Sequence, residues 1–219
     1  MRHPCLRCAL LAMTAMTALI AMTAPGATPA AGAWRFATPA WSGAAETYPG
    51  GLRTRVHGEA LLIRRTGAAI YRFDPRRASL APASESDWAA GGAPSDCEAQ
   101  RYLAGYRLDS TDGILRGKAG VVPIPGFVVQ TLQSPGARYG AVLAAAGPAR
   151  SLLPFFGGGG GRGPFRHYLV SVADGAVLGA GTALHLDGPA VRMCWSADER
   201  FVLYTDLDFS SMTVVPVPP

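Results

Sequence analysis

Side chains able to do chemistry are few in this chain and widely spaced. Residues 34–219 carry three histidines, His57, His167 and His185, and no two stand at metal-ligand spacing. The same stretch holds no H-E-x-x-H, no C-x-x-C and no G-x-S-x-G nucleophile elbow. Asp206 and Asp208 lie two apart, so on a strand they share one face, where they would hold a cation or act as paired carboxylates. Two carboxylates at a strand end are usually just solvated. The remaining group is Phe155, Phe156, Arg162 and Phe165, set around five glycines from Gly157 to Gly161. Aromatics and arginine dominate the energetics of binding interfaces. This loop therefore reads either as a plain hairpin tip or as a mobile binding loop whose glycines supply reach. Gly158, Gly160 and Gly163 meet G-x-G-x-x-G by repetition alone, because Pro164 and a strand pattern follow where a phosphate-binding helix would open. No cofactor and no metal are expected.

The elements that must position these groups are strands. Arg53, Arg55 and His57 alternate with Thr54 and Val56, the period of a half-exposed strand. Ala60–Ile63 and Ala69–Phe73 continue a meander closed by Asp74-Pro75. Seven arginines between Arg53 and Arg77 would bind an anion or form a solvated face. Ser84 with Asp87 has the form of a helix-opening capping box, cut short by Gly91, Gly92 and Pro94. Strand signals return at Tyr106–Leu108 and Ile114–Leu115, around an Asp-rich turn that lacks the distal Glu of a calcium loop. Phe127–Leu132, Tyr139–Ala145, His167–Val172, Val177–Leu178, Thr182–Leu186, Val191–Trp195, Phe201–Tyr204 and Met212–Val217 are further apolar runs separated by turn residues. Trp34 to Gly51, rich in Pro, Gly and Ala, is expected to be extended or loosely tied down.

Residues 1–33 have the order of a secretory leader: basic Arg2 and Arg7, an uncharged run from Ala9 to Met22, then Ala31-Gly32-Ala33 before Trp34. The run is shorter than the ~20 residues of a membrane span, although a retained single-span anchor is the rival reading. A periplasmic or secreted single domain over residues 34–219 follows. The chain has 20 Lys and Arg against 15 Asp and Glu; without Arg2 and Arg7 the surplus falls from +5 to +3. That is too little to argue for nucleic acid, whose readers carry a basic stripe. Cys97 and Cys194 are the thiols left beyond the leader. In an oxidising compartment they form a disulfide or stay as two buried thiols.

Two stretches repeat. Ser134-Pro135-Gly136-Ala137-Arg138-Tyr139 and Ser196-Ala197-Asp198-Glu199-Arg200-Phe201 align without a gap at a spacing of 62 residues, each between apolar runs. Trp195-Ser196-x-Asp198-x-Arg200-Phe201 resembles the turn signature of WD-like β-propeller repeats of the Tol-system translocation protein type. The resemblance covers the last third of the chain, with Ala197 and Glu199 standing where the pattern has Pro and Gly. It implies an all-β fold, a small or irregular propeller-like set of antiparallel meanders, with a β-sandwich as the alternative. It also implies that Trp195, Ser196, Asp198 and Arg200 are structural, Asp and Arg tying the corner while Trp195 and Tyr204 fill space between sheets. The functional expectation is an exported, non-enzymatic binding or scaffold protein. Its partner is a protein or an envelope component, and beyond the leader it has no membrane span. The alternative is a small carboxylate-dependent hydrolase or carbohydrate-active enzyme using Asp206 and Asp208.

Overall fold

A computed structural model of the chain describes residues 32–41, 51–65, 67–100, 102–146, 165–186, 192–206 and 209–218. The leader up to Ala31, the glycine loop with Phe155, Phe156 and Arg162, and Asp208 lie outside these residues.

The fold is all-β, and the described residues build four antiparallel sheets, none closed into a barrel. Sheet one is a meander of β2 (Leu52–His57), β3 (Ala60–Arg65), β4 (Ile70–Asp74) and β5 (Ser79–Ala83), with the short β6 (Ser95–Asp96) added beside β2. Sheet two is small: β7 (Arg107–Asp109), β8 (Ile114–Gly117) and β9 (Gly120–Val121). Sheet three joins β10 (Phe127–Gln133), β11 (Tyr139–Ala145), β12 (Phe165–Ser171) and β13 (Val177–Leu184). In sheet four, β14 (Arg192–Trp195), β15 (Phe201–Thr205) and β16 (Ser211–Pro216) are completed by β1 (Trp34–Ala37), which pairs with β16 from Trp34↔Val214 to Ala37↔Ser211. Among the described residues no helix is long and apolar enough to cross a membrane.

Of the two readings of the Trp34–Gly51 stretch, its start takes the extended one, because a strand running beside β16 gives its backbone groups partners. Trp34 and Phe36 also lie 5.4 and 5.7 Å from the Phe73 ring. The Thr182–Leu186 run is not separate: it continues β13, which passes through Gly179 and Gly181 at positive φ, a conformation glycine adopts without steric cost.

The sheets are layered, sandwich-like, and the sequence pattern follows from the layering. Sheet four lies between sheets one and three. Met193, Trp195, Val202, Tyr204 and Val215 face sheet three, whereas Cys194, Phe201, Leu203, Met212 and Val214 face sheet one. Sheet three is likewise covered twice, with Leu143, Phe165 and Leu169 towards sheet four and Val142, Tyr168 and Val170 towards Leu115 of sheet two. A strand buried on both faces needs apolar residues at every position, so β11 and β15 read as unbroken apolar runs. Sheet one packs against sheet four on one face, while its other face is mixed, with Leu62 and Ile70 buried there among the arginines. Its outer face carries Arg53, Arg55, Arg64 and Arg72, partly covered by the single-turn-and-a-half helix α1 (Glu85–Ala90). The capping box forms as the sequence predicts. The Ser84 hydroxyl accepts from Asp87 N at 3.1 Å, and Ser84 N donates to Asp87 Oδ2 at 2.8 Å. Trp88 of α1 lies on Leu62 and Ile70 beneath the Arg55 guanidinium, 4.9 Å from its ring centre.

The arginines of this segment are mostly paired. Arg53 pairs with Asp96, Arg64 with Glu85, Arg76 with Glu59 and Arg77 with Asp74. Arg65 is buried and donates to Trp41 O at 2.7 Å. Carboxylate partners close at hand fit a solvated face better than an anion site.

Candidate binding mouth

The two aligned stretches form the same turn. Ser134 N donates to Tyr139 O (2.8 Å), Ala137 N to Ser134 O (2.9 Å) and Tyr139 N to the Ser134 hydroxyl (3.1 Å). In the second, Ser196 N donates to Phe201 O (2.9 Å), Glu199 N to Ser196 O (3.1 Å) and Phe201 N to the Ser196 hydroxyl (3.0 Å). Ala137 and Glu199 both adopt left-handed backbone, at φ 55° and 59°. The serine is thus fixed by geometry, because its side-chain oxygen replaces a ladder acceptor at the corner.

Around these turns the predicted structural residues behave as the sequence implies. The Ser196 hydroxyl donates to Asp198 Oδ1 at 2.7 Å, and Arg200 forms an ion pair with Asp198. Trp195 is fully buried, donates from Nε1 to Leu132 O at 3.1 Å and stacks on Tyr139. Glu199, standing where the repeat signature has Gly, reaches across to the other corner. Its carboxylate accepts from Gly136 N and from Arg138 Nε (2.8 Å) and Nη2 (2.6 Å). Burial pushes that carboxyl up, but the Ser134 hydroxyl, the Arg138 guanidinium and the Gly136 N–H outweigh it and hold it below the usual glutamate value.

Between the corners runs a strap marked in the sequence by Cys97 alone. Ser95 and Asp96 pair with Thr54 and Arg53 of sheet one. Cys97, in a 3-10 turn over Cys97–Ala99, is disulfide-bonded to Cys194 of sheet four, with Cα atoms 5.0 Å apart across a sequence separation of 97. Gln100 then clasps the backbone of Trp195, accepting from its N–H at 2.7 Å and donating to its C=O at 2.8 Å. Ala104 N finally donates to Gln133 Oε1 on β10 of sheet three, at 2.7 Å. Three sheets are stapled by one segment. In the chain-entropy account a closed loop of roughly 100 residues is worth about 4.7 kcal/mol.

Beneath the strap, where β2, β10 and β14 converge, lies a cavity of about 310 Å³. Its floor is Leu52, Leu132, Met193 and the disulfide, and its polar wall is Gln100, Gln130, Tyr102 and Arg192. Tyr102 is 77% exposed, the most exposed large apolar side chain among the described residues. The lining includes no carboxylate and no histidine, so its own groups would bind and orient a ligand rather than pass protons.

The other candidates lie elsewhere. His167 of β12 is buried between sheets three and four, where its Nδ1 and the Tyr204 hydroxyl share a hydrogen bond of 2.5 Å. Burial lowers its pKa to about 4 and raises that of Tyr204, so this pair is a neutral core contact. His57 is half-buried on β2, and His185 is exposed just beyond β13. Asp206 is consumed by its own turn, accepting from Ser211 N (3.0 Å), the Ser210 hydroxyl (2.8 Å) and the Ser211 hydroxyl (3.0 Å). Phe165 is a core residue, 3% exposed against Leu184 and Leu143, and so is not available at a loop surface. Among the described residues no group of three or more His, Cys, Asp or Glu side chains is placed to hold a metal ion. Gln100, Tyr102 and Gln130 escaped sequence reasoning because single glutamines and tyrosines carry no spacing signature. No family model and no curated protein matches the chain.

Proposed function

We propose that the protein is an exported, non-enzymatic binding protein that captures an envelope component or a protein partner at the mouth beneath the strap. The observation that carries this reading is the lining of the cavity: neutral amides, an exposed tyrosine and an arginine over an apolar floor, held by a disulfide and by Gln100. Concave sites with a few convergent polar groups are where proteins bind ligands. Export is supported by the leader pattern, and the disulfide is consistent with it, since such bonds persist in oxidising compartments. A propeller-like arrangement is supported by the repeated corner and by an N-terminal strand that completes the C-terminal meander. The hydrolase reading has lost one of its carboxylates to a turn, Asp206.

The test uses the full chain, expressed with its leader and collected from the exported fraction. It is mixed with purified cell-envelope particles and sedimented, beside a Tyr102→Ala variant. Retention of the wild type, and its loss in the variant at unchanged Tm, is the expected result. Equal sedimentation of the two proteins overturns the assignment of the mouth.

A further inference from the structure

The mouth is one part of a longer groove. Gln100 also lines a second cavity, of about 500 Å³, that extends to Ser134 and Pro135 of the first corner. Tyr102 and Gln130 also line a third, of about 400 Å³, that extends past Val129 and Thr131. The three share walls along β10, an edge strand of sheet three.

The chemistry of this groove is unusually even. Its charged lining residues are Asp96 and Arg192, one of each sign, and Asp96 lies 3.6 Å from Arg53. The described lining therefore brings no net charge of its own with which to select an anion or a cation. The polar capacity comes from carboxamides. The Gln130 side chain has no hydrogen-bond partner among the described residues, and Gln133 commits only its oxygen, to Ala104 N. Each carboxamide offers a donor pair and an acceptor side by side. The Ser134–Tyr139 bond sets the ladder phase: pairs 132–141 and 130–143 face one another through hydrogen bonds, while Thr131 turns its N–H and C=O towards the groove.

A peptide adding as a strand is disfavoured. The edge of β10 is broken by a register shift between Val128 and Gln130, and its far end is taken by the strap through Gln133. Strand addition needs an uninterrupted row of edge groups. We infer that the groove takes a neutral oligosaccharide. This deepens the binding-protein reading and rests on it. Vicinal hydroxyls match the paired donor and acceptor of Gln130, and the C–H face of a sugar ring matches the exposed Tyr102 ring, which is an apolar body with a polar tip.

Isothermal titration of the exported chain with cellohexaose, chitohexaose and maltohexaose tests this, with polygalacturonate as a charged comparison. At least one neutral hexasaccharide is expected to bind, with affinity unchanged at high salt, which screens charge pairs but not neutral contacts. Tyr102→Ala and Gln130→Ala are each expected to weaken it by about tenfold or more at unchanged Tm. Heat from polygalacturonate alone, lost at high salt, overturns the inference. So does the absence of binding by every neutral hexasaccharide, or undiminished binding by Tyr102→Ala. Envelope retention that depends on Tyr102 without any oligosaccharide binding would leave the binding protein standing and remove only its ligand class.

Discussion

The corner at Ser134 and the corner at Ser196 have the same backbone and different surroundings. Both close through a serine hydroxyl and a left-handed fourth residue. Preceding them, Gln133 and Trp195 occupy equivalent positions and do opposite work. Trp195 is sealed between sheets, whereas Gln133 lies half-buried at the strap. Following them, Asp198 and Arg200 clasp their own turn, whereas Gly136 and Arg138 turn outward to receive Glu199. A turn signature therefore specifies a backbone path. The residues carried on that path decide whether the corner is a self-contained clasp or half of a joint.

The sharpest way to break this comparison is at the position before each serine. Trp195→Ala removes a fully buried indole and its hydrogen bond to Leu132 O, and is expected to cost about 3–5 kcal/mol in urea denaturation. Gln133→Ala, at a half-buried position, should cost under about 1.5 kcal/mol. Similar values for the two would mean that the corners are energetically equivalent after all.

A slightly smaller effect tests the seam between the two sheets that carry the corners. His167 is buried there with its pKa lowered to about 4, so the folded state holds it neutral while the unfolded chain takes up a proton near the usual 6.5. Its contribution is complete above pH 6.5 and is lost as pH falls from about 6.5 to about 4. The loss approaches about 3 kcal/mol, because each pH unit between those limits weakens the fold by about 1.4 kcal/mol. His167→Gln should flatten the pH dependence of Tm across that window. A wild-type Tm that does not move between those limits would show that the seam opens to water.

The smallest effect separates clasp from joint. Glu199→Gln leaves the shape but removes the charge accepted from Arg138 and Gly136, and is expected to cost about 1.5–3 kcal/mol, the range for hydrogen bonds to buried charged groups. Asp198→Asn weakens a partly exposed pair and should cost no more than about 1 kcal/mol. Because the Glu199 carboxyl is held below its usual value, its share is present at neutral pH and is lost on acidification below about 4.5, overlapping only the acid end of the His167 window. The reverse ranking of the two variants would make Asp198 the group that joins the sheets.

Strand periodicity, the Ser84 capping box, the repeated corner and the cysteine pair were all legible, because each rests on local spacing or on a small inventory of residues. The burial of Phe165 was not: beside a glycine run it reads as a loop flank, and only pairing with Leu184 reveals a core position. β5 escaped for a related reason. Ser79–Ala83 is two alanines, a proline, a serine and one leucine, and it becomes a strand by lying beside β4 on an exposed edge. The mouth was illegible because its residues come from four separate stretches, brought together by a strap whose only sequence mark is one cysteine.

The pairing of β1 with β16 has a kinetic consequence. Trp34 meets Val214 across 180 residues, and sheet four cannot complete its order β1-β16-β15-β14 until its last strand has been synthesised. Closing so long a loop costs only slightly more than closing a short one, since the entropy grows with the logarithm of length. It is slow nonetheless, because contacts of high sequence separation set folding rates. Sheets one and three assemble from neighbouring hairpins and can form early. Sheet four, lying between them with both faces apolar, is the one that must wait, and until it closes the molecule presents two greasy surfaces to any chaperone that meets it.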